Sequence, residues 1–105
     1  MDAFAAATDA VFADPNIARV AIWHQGEVGS GVAVRVTVRR PDQIVGFGDS
    51  RAILPTVLID VRRSEVAEPA GGDTVEFDGD TFEIITPPIA DSLRLVWVCE
   101  ASLQG

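Results

Sequence analysis

Val32-Ala33-Val34-Arg35-Val36-Thr37-Val38-Arg39 sets a valine at every second position. A period of two marks a strand with one face buried and the other in water. Val32, Val34, Val36 and Val38 share one face, and Ala33, Arg35, Thr37 and Arg39 share the other. This predicts a half-buried antiparallel strand with a polar, cationic outer surface. The same period returns downstream over 53–62, with Val57, Ile59 and Val61 inward and Leu58, Asp60 and Arg62 outward. Pro55 marks an edge or a bulge at its start. Further on, Val75 and Phe77, then Phe82 and Ile84, flank Asp78-Gly79. Gly79 accepts a positive φ without steric cost, so this is a tight hairpin. Pro87-Pro88 ends its second arm. Residues 93–100 are apolar on both faces, which predicts a central strand or one covered by a helix, and residues 101–105 read as a frayed tail.

Upstream of the valine strand, 17–24 alternates again, with Ala18, Val20 and Ile22 on one face and Arg19, Ala21 and Trp23 on the other. Gly26, Gly29 and Gly31 fill the turn between. Residues 2–13 predict a helix capped by Asp2, with Phe4, Val11 and Phe12 near one face and an Ala-rich filling. Pro15 disfavours helical geometry at Asp14 and stops it. Ser64 can cap one helical turn over 64–68. The fold class is therefore mainly β: a small antiparallel barrel or sandwich of about six to seven strands, with an N-terminal helix and one short helical turn.

The 105 residues predict a single domain over 1–105. Hydrophobic residues make up 48% and charged residues 23%, the composition of a folded chain rather than a disordered one. A net charge of −8 argues against general nucleic-acid binding. All eight cationic residues are Arg, and there is neither Lys nor Tyr. The single Cys99 excludes an internal disulfide and suits an intracellular origin. Met1-Asp2-Ala3-Phe4 lacks the basic start of a signal peptide, and no apolar run reaches the ~20 residues of a membrane span, so no membrane partner is expected.

Parts for catalysis are few. His24 is the one histidine, and no serine sits in a Gly-x-Ser-x-Gly elbow. His24 reads as a structural residue at a strand end, and Cys99 as a small buried one without a basic neighbour to lower its pKa. Asp73, Glu76, Asp78, Asp80 and Glu83 raise a calcium question, but their spacing fits no calcium loop; the hairpin turn explains Asp78 and Asp80, and solvent-facing strand positions explain Glu76 and Glu83. Gly29-Ser30-Gly31 and Gly46-Phe47-Gly48 are not phosphate cradles. No catalytic residue, metal or cofactor is expected. Arg35, Arg39 and Arg40 form a cationic stripe, read either as a solvated face paired with neighbouring acids or as a contact patch for an acidic partner. The segment 40–52 is a mobile loop or hairpin arm. Ile44, Val45 and Phe47 would be a liability in water, so with Arg51 they either fold back on the core or order against another subunit.

Several of these stretches occur in a telling order. Val36-Thr37-Val38 leads to Arg40-Pro41-Asp42, a glycine-containing loop and Thr56-Val57-Leu58-Ile59-Asp60-Val61. Arg63-Ser64-Glu65-Val66, Gly72-Asp73-Thr74-Val75, Asp78-Gly79-Asp80-Thr81-Phe82-Glu83-Ile84 and Leu93-Arg94-Leu95 follow. The combination resembles the head–tail joining proteins of long-tailed phages, the family typified by that of phage lambda. The resemblance implies a small β-barrel without enzymatic activity, assembled as a homo-oligomeric ring, hexameric in the family, on the portal or adaptor complex. Such a ring closes the packaged head in the virion and presents the docking surface for the tail terminator or other tail proteins. DNA passes its channel without specific binding, and assembly takes place in the host cytoplasm. In a gene transfer agent the same part would be the stopper. The stretch from Asp42 to Arg51 would match the family's long mobile loop. Three alternatives stand beside this reading: a tail terminator or tail-tube-like ring subunit, a monomeric β-barrel that binds a ligand or peptide, and a hydrolase.

Overall fold

The computed structural model describes residues 3–26, 30–40 and 56–104. The Asp2 cap, Gly29, residues 53–55 of the third predicted strand, and Ile44, Val45, Phe47 and Arg51 lie outside the described residues. Helix α1 (Ala3–Ala13) is followed by strands β1 (Arg19–His24), β2 (Val32–Arg39), β3 (Thr56–Arg62), β4 (Thr74–Phe77), β5 (Asp80–Ile84), β6 (Ile89–Ala90) and β7 (Val96–Gln104). The strands run in the order β3-β2-β1-β4-β5-β7, and β7 pairs again with β3. Six antiparallel strands thus close into a barrel, and β6 adds a short seventh beside β7.

Closure follows from the length of β7. One edge of this strand pairs with all of β3, from Thr56↔Ser102 to Arg62↔Val96. The other edge is divided between β5, at Thr81↔Gln104 to Ile84↔Ala101, and β6, at Ile89↔Val98 and Ala90↔Trp97. A closed barrel leaves no open edge among its own six strands. The period-two pattern fills the interior. Opposed inward pairs include Val36↔Val61, Ile59↔Cys99, Val57↔Ala101 and Val75↔Phe82, all buried. Each buried Val, Ile or Phe side chain contributes about 1.5–3 kcal/mol of transfer free energy. The Phe77 and Phe82 rings stack at 4.8 Å between centroids. The hairpin joining β4 to β5 turns on Asp78 and Gly79, both at positive φ (52° and 82°), the geometry of a type I′ turn.

Four expectations need correction. The tail is not frayed: residues 101–104 belong to β7, and Ala101 is fully buried against Val57 and Ile84. The last strand starts at Val96 rather than Leu93, because Asp91–Leu95 form a turn in which Arg94 takes φ 58° and the Asp91 carboxylate accepts the Leu95 and Val96 amides. Val32 does not join the core; it sits at the barrel rim, 61% exposed. Residues 64–68 make no helix but lie in and after a single turn in which the Arg62 carbonyl accepts the Glu65 and Val66 amides. Helix α1 also docks more lightly than its pattern suggests. Phe12 is its one buried residue, while Phe4 and Val11 face outward. Among the described residues no helix is long and apolar enough to cross a membrane.

Candidate functional site

The cationic stripe folds onto the chain's own acids and carbonyls. Strand alternation turns Arg35, Thr37 and Arg39 outward on β2, and Asp60 outward on the neighbouring β3. Arg39 grips Asp60 with two bonds, Nε to Oδ2 at 3.0 Å and Nη2 to Oδ1 at 2.7 Å, and Thr37 donates to Oδ2 at 3.0 Å. The hydrogen bonds and charge of Asp60 raise the Arg39 pKa, outweighing the lowering by burial. Arg35 donates through Nε to the Phe12 carbonyl at 2.5 Å and so ties α1 to the barrel. Arg40 is exposed at the end of β2, where residues 41–55 begin.

A second cluster surrounds Arg62, which the alternation also turns outward. Its guanidinium lies 5.3 Å from the Phe12 ring and donates to Asp9 at 3.0 Å and Glu65 at 2.9 Å. Burial would lower its pKa, but the bonds to Glu65 and Asp9 more than offset this and raise it. Arg63 lies over the Trp97 ring at 5.3 Å, and Arg19 over Phe77 at 5.6 Å while pairing with Asp78. Three of the arginines thus use the flat face that lysine lacks.

The residues weighed for chemistry are engaged in structure. The Nε2 of His24 lies 2.9 Å from a Glu76 oxygen. Cys99 is fully buried, and burial first, then the Asp60 and Asp73 charges, push its thiol up to about 12, which leaves it protonated and unreactive at neutral pH. Asp73 is the buried carboxylate of the described residues. It accepts Trp23 Nε1 at 3.1 Å, the Gly26 amide at 2.9 Å and the Ala70 amide at 2.9 Å. Sequence reading grouped Asp73 with the exposed acids and missed this role. No local signal marked it, since its carboxylate is held by Ala70, three residues back, and by Trp23 and Gly26, which are distant in sequence.

Part of what remains open on the surface is apolar. Between α1 and the barrel runs a groove of about 310 Å³, walled by Val11, Phe12, Val96 and Val98 and rimmed by Arg39, Asp60 and Asp91. Ile89 extends it beside Val98, 70% exposed. Across the barrel, Val20 is 58% exposed on β1. Such side chains suit contacts between proteins better than small-molecule chemistry.

A family model for the phage head–tail attachment protein matches residues 1–101. The chain belongs to this family. The match spans α1 and nearly all of the barrel, so it concerns the whole fold rather than one hairpin. Membership makes the chain a structural protein of the phage head–tail junction, which interacts with other head and tail proteins at that place in the virion. Searches of curated proteins and of solved structures return no match.

Proposed function

We propose that this head–tail attachment protein forms a ring that closes the DNA-filled head and gives the tail its docking surface, without catalysing a reaction. The family match over 1–101 carries the reading. The closed barrel supports it, because rigid walls fix the geometry of contacts made on them. The groove beside α1 and the exposed Val20 and Ile89 give it apolar contact area. Ile44, Val45, Phe47 and Arg51, in the segment between β2 and β3, with Arg40 at its base, add a further contact to a neighbouring ring. On this reading Arg35 and Arg39 act from within the subunit, by setting the wall from which Arg40 projects. A net charge of −8 repels phosphates, so DNA slides through the channel without being held.

The test is electron microscopy of particles made without the protein. Filled but leaky heads beside finished tails are expected. Tails of aberrant length would assign the chain as a tail terminator instead, and normal infectious particles would overturn both readings. Removing residues 42–51 should block tail attachment while the barrel still folds; unchanged attachment would end the proposal for that segment.

A further inference from the structure

Helix α1 is held to the barrel from outside. The six strands close without it, and its one buried side chain, Phe12, lies apart from the buried cluster that fills the barrel. Lifting α1 away therefore opens no hole in the core. Along the rest of the helix Phe4 is 60% exposed and Val11 41%. The groove of about 310 Å³ runs between Thr8, Val11 and Phe12 on one side and Val96 and Val98 of β7 on the other.

The polar bonds that hold the helix come from the barrel. Arg35 of β2 donates to the Phe12 carbonyl, in the last turn of α1. Arg62 of β3 donates to Asp9 while its guanidinium covers the Phe12 ring. The helix brings no basic residue to its own last turn and no acidic one to its first. Its negative end thus relies on an arginine supplied by the strand beneath it. A helix of 11 residues is marginal in water by itself, so α1 without the wall loses its turns as well as its place. Beyond α1 the chain is fixed again: Ile17 and Ala18 donate to the Asp14 carbonyl, and Ala18 is buried. The chain changes course at Asp14-Pro15-Asn16, where Pro15 keeps the helix from continuing.

We propose that α1 is a releasable strap. It comes off the outward face of β2 and β3 as one unit, pivoting at Asp14-Pro15-Asn16, while the six-stranded barrel stays closed. Release bares the seat of Phe12 together with Val96 and Val98, and it leaves Arg35 and Arg62 without their partners on the helix. Docking and release thus switch one wall of the barrel between two chemistries. In one the wall is covered and its arginines are engaged; in the other it is apolar and cationic. The inference does not depend on ring assembly.

Native-state hydrogen exchange of the purified full chain tests it, read by NMR in water and in urea below the unfolding transition. The amides of residues 7–13 should exchange together, well ahead of those of β3 and β7 and with little dependence on urea. Arg35→Met removes a hydrogen bond from a charged donor and should quicken exchange in α1 about tenfold. Cys99→Ala, inside the barrel, should quicken exchange in β3 and β7 and leave α1 at its own rate, because a local release does not pass through barrel unfolding. Phe12→Ala should leave a barrel that still unfolds cooperatively, with α1 unprotected. The proposal is overturned if α1 shares the rate and urea dependence of the barrel, if Arg35→Met leaves its rate unchanged, or if Cys99→Ala quickens helix and barrel alike. It is overturned too if only the first turn exchanges early while residues 11–13 keep the rate of the barrel, since that is simple fraying. Loss of the barrel fold in Phe12→Ala would make α1 part of the core and end the proposal. The junction role is read separately, from particles lacking the protein, and stands or falls on that result.

Discussion

Raising the pH should destabilise this protein through one thiol. The chain has no Lys and no Tyr, its arginines stay charged, and an α-amino group titrates near pH ~8. Between about pH 9 and 12 that leaves Cys99. Its pKa is pushed from the ordinary 9.0 to about 12 in the folded chain, chiefly by burial. Above pH 9 the unfolded chain therefore gives up a proton that the folded chain keeps. The unfolded state then binds fewer protons, and stability falls as pH rises. The full stabilisation is present below pH 9 and is lost progressively up to the folded pKa. The slope approaches about 1.4 kcal/mol per pH unit, which amounts to about 2 kcal/mol at about pH 10.5. A domain of this size has only about 5–15 kcal/mol to lose. Urea unfolding followed by the fluorescence of Trp23 and Trp97, at several pH values from about 8 to 10.5, measures the slope. Cys99→Ala starts lower in stability because it leaves a small cavity, but its stability should be flat over the same range. A wild-type profile without slope, or an equal slope in Cys99→Ala, would refute the reasoning.

Asp73→Ala strands the buried Trp23 indole and the Gly26 and Ala70 amides, and should cost about 3–5 kcal/mol in urea unfolding, whereas Asp73→Asn keeps one acceptor and loses less. Gly31→Ala sets a methyl 2.5 Å from Ile22 Cγ2 and 2.8 Å from His24 Cε1 at φ +85°, so a loss of about 2–4 kcal/mol is expected, and unchanged stability would contradict that packing. Arg62→Met keeps the aliphatic stem but removes the bonds to Asp9 and Glu65; hydrogen exchange should quicken in α1 while the barrel strands keep their protection.

The strands were legible where two local signals agreed. Over 32–39 the valine period and the β-branched side chains point to the same state, and in the hairpin the Asp78-Gly79 turn fixes the register that the flanking alternation needs. The C-terminal strand was half hidden because Ala101-Ser102-Leu103-Gln104 has little strand propensity of its own; its place is set by Val57 and Ile84, which are distant in sequence. Leu93-Arg94-Leu95 misled in the opposite sense. Its apolar look suggests a strand, yet the Asp91 carboxylate captures the Leu95 and Val96 amides and turns the chain.

The surface was legible as chemistry but not as partnership. Alternation alone places Arg35, Arg39, Asp60 and Arg62 outside, and it does so correctly. It cannot say that Arg39 belongs to Asp60 while Arg35 belongs to a carbonyl of α1, because those pairings depend on which strands are neighbours and on where the helix comes to rest. That difference matters for assembly. An arginine already held by a carboxylate has little electrostatic attraction left for another protein, whereas one held by a carbonyl keeps its charge. A count of arginines along β2 therefore treats as equal two residues that the fold makes unequal. Arg35, beside the exposed Val20, is the one of the two whose guanidinium is paired with no carboxylate among the described residues.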